Sequence, residues 1–179
     1  MEFHAAKALE PIQLALQKAM PDAQFDVDPG EQVAAISFVH PAHEATVIVV
    51  VEQPDPHHLV PTLLLAVVLG DWQDARAPQA NPEKGEGGAA LFGLNPRLMT
   101  CAVGILPIND DELALALCRR LPLESMPAED VLPTIDDMVW EYAAVAGWMD
   151  QQKVETETLE PPTDLRPPRP RIIGSLDEA

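Results

Sequence analysis

The stretch 99–150 constrains this chain most. It holds an apolar hairpin, TCAVGILPI and LALALC around the turn cluster NDDE, then RRLPLESM, then a periodic segment ending in GWMD. Strands over 99–108 and 112–121 around Asn109, Asp110 and Asp111 are followed by a helix. In that helix Val131, Ile135, Met138, Tyr142, Val145 and Met149 recur at alternating steps of four and three, and Val139, Ala146 and Trp148 widen the stripe. Residues 123–127 cap it, with Pro133 as an alternative first turn, and Gly147 weakens its last turn. Any sheet must be completed here. The hairpin has few polar residues on either side, so both faces should be covered, one by the protein's own helices and the other by a second subunit.

The preceding chain supplies the rest of the sheet. Residues 3–20 read as a helix on Ala5, Leu9, Ile12, Leu16 and Met20, with Pro11 predicting a kink or a late start near Leu9, and Pro21-Asp22 ending it. Phe25 and Val27 mark a short strand over 24–28, and Asp28-Pro29-Gly30 is a turn. Strands over 33–39 and 46–52 follow, joined by a turn at 40–43; TVIVVVE is the clearest strand in the chain, and the three form an antiparallel meander. Pro54-Asp55-Pro56 then predicts a second helix over 57–72, apolar on nearly every side and therefore buried. Residues 74–88 have loop composition, 89–94 a strand pattern and Asn95-Pro96 a turn.

The expected fold is α+β: an antiparallel, strongly twisted sheet of five or six strands packed with three helices, in the order α-β-β-β-α-β-β-β-α. Residues 1–153 form one domain with a flexible loop at 74–88, and 154–179 form a disordered or polyproline-like tail in which Arg166, Arg169 and Arg171 alternate with prolines. A length of 179 residues suits one domain plus a tail. With aromatics at 4%, the core must be Leu, Val, Ile and Ala.

Charge narrows the partners. Twenty-nine acidic against 11 basic residues give a net charge of -18, a repulsive field toward phosphate backbones and anionic lipid, so neither nucleic acid nor membrane is expected. The acidic surface serves solubility, docking of a basic partner, or both. Glu2 follows Met1 without a basic region and apolar run, so no signal peptide is expected, and the apolar run 63–69 is too short to cross a bilayer. Cys101 and Cys118 are expected as free thiols in a reducing cytoplasm.

Chemistry is sparse. His40, His43, His57 and His58 lack the spacing and companion ligands of a metal site. Cys118, before Arg119-Arg120, sits in a Leu-Ala alternation that reads as buried strand. Gly85, Gly87 and Gly88 precede a strand without the Lys-Ser/Thr of a phosphate loop. Asp110-Asp111 and Asp136-Asp137 read as turn and solvated-face residues. No catalytic constellation and no cofactor are expected, which points to a protein that holds a partner.

The element order resembles the class I type III secretion chaperones, the CesT or Tir chaperone-like family of small acidic cytoplasmic proteins. The first helix running into FDVDPGEQVAAISF is similar to that family's first helix and hairpin. GGAALFGLNP is similar to the strand after its buried helix, and LALALCRRLPLESMPAED with VWEYAAVAGWM to its last strand, turn and terminal helix. The resemblance covers roughly 3–150; the 74–88 loop, the stretch TCAVGILPI and the proline-rich tail depart from the pattern. It implies a homodimer that binds the N-terminal region of one or several effector proteins, keeps it extended, and delivers it to the secretion ATPase. Contact candidates are Leu9, Leu16, Phe25, Val27, Ile36 and Phe38; dimer candidates are Leu63, Leu64, Val67, Val103, Ile105 and Leu115. The rival readings are a regulatory or adaptor domain of the same architecture resembling the YbjN-like proteins, and a small enzyme.

Overall fold

A computed structural model of the chain describes residues 3–54, 59–71, 94–108 and 113–157, with Asp71 and 151–157 as backbone alone. Helix α1 (Ala5–Ala19) leads into strands β1 (Phe25–Asp28), β2 (Val33–His40), β3 (Ala45–Glu52) and β4 (Thr62–Asp71). The hairpin β5 (Ala102–Pro107) and β6 (Leu113–Pro122) and helix α2 (Val131–Glu157) follow. The strands form one antiparallel, open sheet in the order β1-β2-β3-β4-β6-β5. The fold is thus α+β with a six-stranded antiparallel sheet, and two α-helices among the described residues.

Both helices cover one face of the sheet. Ala5, Leu9, Ile12 and Leu16 of α1 and Val131, Ile135, Met138, Val139 and Val145 of α2 share one core with every second residue of the central strands. These include Ile36 and Phe38, Val47, Val49 and Val51, Leu63, Leu65 and Val67, and Leu115 and Leu117. The period-two and 3.6 patterns therefore meet on the same surface. Helix α1 continues through Pro11, because the lost hydrogen bond falls on its wet side, where both Pro11 and Lys7 are exposed and the freed Lys7 carbonyl can meet water. Its start is tied to the sheet by the Ala5 N–H donating to the Glu31 carbonyl at 3.0 Å.

The expected second helix is instead strand β4. It pairs with β3 from Glu52↔Thr62 to Val47↔Val67 and with β6 from Thr62↔Pro122 to Asp71↔Ala114. All-round apolarity is what a helix buried on every side and a central strand buried on both faces have in common. Leu63 and Leu65 face the helices, while Leu64 and Ala66 join Leu106, Ala116, Ile48, Val50 and Cys118 in a second cluster on the other face. Near its end the register shifts between Val68 and Gly70, a bulge that Gly70 accommodates at φ +152°, where side-chain-bearing residues are strained. The loop 74–88, most of the strand expected at 89–94 and the residues from 158 onward lie outside the described residues; Leu94 is in a turn.

The other differences are at element ends. Residues 99–101 precede β5, held by a helix side chain described below, and α2 begins at Val131 with Pro133 in its first turn. Helix α2 also runs past Gly147 and Lys153 to Glu157.

Candidate functional site

An accessible hollow lies where α1 hands over to the edge strand. The Met20 N–H still bonds the Leu16 carbonyl at 2.8 Å, Pro21 has no N–H to continue the ladder, and the Ala23 N–H closes a turn on the Met20 carbonyl at 3.2 Å. The chain is thereby delivered into β1, which among the described residues has a sheet neighbour on its β2 side alone. Phe25 and Val27 point toward the core, half-buried, and Phe25 packs on Phe38 with ring centroids 5.3 Å apart. Asp26 and Asp28 alternate onto the opposite face, exposed.

A groove of about 560 Å³ runs along this junction, with apolar walls from Ala19, Met20, Pro21, Val39 and Pro41 and polar groups from Asp22 and Gln24. A second hollow of about 360 Å³ shares Met20, Pro21 and Ala23 with it and adds Gln17 and Phe25. Between Lys18 and Arg76 the chain has no lysine or arginine, whereas Asp22, Asp26, Asp28, Glu31 and Glu44 all fall in the segment that builds this corner. The groove can take an apolar extended segment, and its surroundings favour cationic flanks.

The structure divides the contact candidates. Phe25 and Val27 lie on the accessible edge strand; Leu9, Leu16, Ile36 and Phe38 are core side chains with at most 4% exposure. Sequence reasoning missed Met20, Pro21, Val39 and Pro41, whose only signal was the helix-stopping Pro21-Asp22 and the turn after His40. Of the dimer candidates, Leu63, Val67, Val103 and Leu115 are buried in the core shared with the helices, and Leu64 is buried on the other face. Ile105 is 41% exposed.

Three polar constellations occur elsewhere. His40 is buried at the end of β2; its Nδ1 accepts the Ala42 N–H at 3.3 Å, which places the ring proton on Nε2, 2.9 Å from Asp136 Oδ1. With both nitrogens engaged, this imidazole offers no free lone pair to a metal or a substrate, and His43 stands exposed and apart. Glu141 of α2 accepts the N–H groups of Met99 and Thr100, both at 2.8 Å, and the Cys101 thiol at 2.9 Å, which anchors the approach to β5. Burial draws the Glu141 carboxyl upward, but the Cys101, Met99 and Thr100 hydrogen bonds outweigh it and leave its pKa lowered. Across the sheet, Arg120 forks onto Glu52 at 2.7 and 3.4 Å, and Glu52 also accepts the Thr62 hydroxyl at 2.9 Å.

Neither cysteine has the character of a nucleophile. Burial, then the Glu141 hydrogen bond and charge, push the Cys101 thiol up to about 12, and burial raises Cys118 despite Arg120. Both are free thiols: Cys118 faces Ala102 across the ladder, and Cys101 turns to Glu141. Among the described residues no group of three or more His, Cys, Asp or Glu is placed to hold a metal ion, and no helix is long and apolar enough to cross a membrane. His57 and His58 lie outside the described residues. No protein-family model matches this chain, and no curated protein does.

Proposed function

We propose that this protein is a non-catalytic holder of an extended protein segment, and specifically a cytoplasmic chaperone of the type III secretion class that binds the N-terminal region of effector proteins. The observation that carries the reading is the open edge of β1 beside the apolar groove. A client strand can add to the side of β1 that no described strand occupies while its side chains enter the hollows around Met20 and Pro21. Held this way a client stays extended, and no bond need be made or broken. A homodimer and hand-over to the secretion ATPase belong to the same proposal.

The strand in place of the expected buried helix favours a second reading. It completes a six-stranded sheet within one chain and removes the helix that the chaperone pattern would use between subunits, which suits a stand-alone adaptor of YbjN-like kind. Co-expression with N-terminal segments of effectors encoded beside the gene separates the two. Retention of a client, with slowed amide exchange over 25–28, supports the chaperone. A monomer by native mass spectrometry that retains none of them removes it.

A further inference from the structure

The groove beside β1 also has a candidate occupant within the chain. Three of the 11 basic residues, Arg166, Arg169 and Arg171, fall within six positions of LRPPRPRII, a run with no acidic residue in a chain of net charge -18. Its prolines favour the polyproline II conformation, which needs no partner for the missing N–H groups and presents proline rings to apolar grooves. The groove supplies the complement: Met20, Pro21, Val39 and Pro41 as apolar wall, Asp22 within it, and Asp26 on the neighbouring strand.

Reach agrees with this placement. Asp136, bonded to His40 next to the groove-lining Val39 and Pro41, fixes the start of α2 at this corner. From Asp136 to Glu157 the helix carries the chain about 32 Å away at 1.5 Å per residue. Returning from Glu157, Arg166 is reached after about 28 Å and Arg171 after about 43 Å of polyproline II at 3.1 Å per residue. A chain folded back along α2 is therefore long enough to bring the arginine run to the groove.

We infer that residues 165–173 dock in cis in the groove formed by Met20, Pro21, Asp22, Val39 and Pro41, as an Arg-flanked polyproline II segment. The inference does not depend on any client. The test uses the full-length chain and a variant carrying Arg166→Glu, Arg169→Glu and Arg171→Glu, with a fluorescent synthetic peptide of residues 164–174 as probe. A tethered segment acts at an effective concentration of about 1 mM, so against a peptide of about 100 μM affinity the cis tail weakens probe binding roughly tenfold in the parent relative to the variant. Adding Asp22→Arg and Asp26→Arg to the variant should abolish probe binding while restoring slow amide exchange at 20–28, because the reversed tail again meets opposite charge. Equal probe binding by parent and variant overturns the inference, as does exchange at 20–28 that ignores the tail charge. Exchange protection that grows with protein concentration overturns the cis arrangement. Loss of client retention with these results intact would sink the proposed function alone.

Discussion

Replacing Glu141 tests whether the hairpin is held to α2 by a charged acceptor. Its carboxylate receives two backbone N–H groups at 2.8 Å and a thiol at 2.9 Å. In Glu141→Ala the exposed Met99 N–H regains water, but the part-buried Thr100 N–H loses its partner; an unsatisfied buried donor costs ~1–3 kcal/mol, so about 2 kcal/mol is expected. With an m-value of about 2 kcal/mol/M, the urea midpoint should fall by about 1 M. Glu141→Gln keeps an acceptor oxygen but not the charge, and neutral hydrogen bonds have roughly half the strength of charge-assisted ones, so its loss should be about 1 kcal/mol. The carboxyl pKa is lowered in the fold, so the stabilisation is present above the ordinary value of 4.5 and disappears as pH falls through the lower folded value. The gap between parent and Glu141→Gln should therefore close in acid. Removing the charge should also bring the Cys101 thiol down from about 12 and speed its alkylation. A Glu141→Gln protein less stable than Glu141→Ala, or an acid gap as wide as the neutral one, would refute the reasoning.

Two glycines should behave oppositely. At Gly147, exposed within α2, an added Cβ meets nothing within 4 Å, so Gly147→Ala should stabilise by ~0.5–1 kcal/mol, read as a higher urea midpoint. At Gly30 a Cβ would stand 2.0 Å from the Val33 carbonyl oxygen, beside the residue that ties down Ala5, so Gly30→Ala should cost ~1–3 kcal/mol by the same measurement. In the core, Leu65→Ala on β4 should cost ~2–5 kcal/mol by the same measurement, and a loss under about 1 kcal/mol would refute its burial between the helices and the sheet. Alkaline titration should destabilise the parent: the Cys101 thiol is raised in the fold, so its contribution is full below the ordinary value of 9.0 and is lost as pH rises toward about 12, a loss that Cys101→Ser should reduce to the share of the also-raised Cys118.

Much of the fold was legible because two signals are local. The stripes of α1 and α2 declare a buried face, the β-branched run of β3 declares a strand, and Ala5, Leu9, Ile12, Leu16, Val131, Ile135 and Met138 are buried as expected. Strand β4 was not legible, because TLLLAVVLGD has no periodicity: a segment covered on both sides leaves no polar residue to reveal whether its period is 2 or 3.6. The groove was equally hidden, since Met20 and Val39 become neighbours only when the sheet folds back beside the end of α1. Glu141 sits in a helix that also carries Asp136, Asp137 and Asp150, and nothing in the sequence marks which carboxylate will meet the backbone 41 and 42 residues earlier.

The same two-sided apolarity changes what a dimer test must target. The hairpin's apolar positions away from the helices are Leu106, Ala114 and Ala116, with 8, 5 and 0% exposure, so they have already lost their solvent without a second chain. Alanine is short, and in a central strand its larger cross-strand neighbours cover it. What remains exposed is the far end of the hairpin, where Ile105, Ile108 and Leu113 retain 41, 43 and 40%. Val103→Asp and Leu115→Asp would bury a charge in the core, at positions of 4 and 0% exposure, and report unfolding whatever the oligomeric state. Ile105→Asp places the charge in water. In the proposed homodimer it should shift native mass spectra from dimer to folded monomer with an unchanged urea midpoint at dilute concentration. A variant that stays dimeric moves the interface away from the hairpin end, and a parent that is already monomeric removes the homodimer from the proposal.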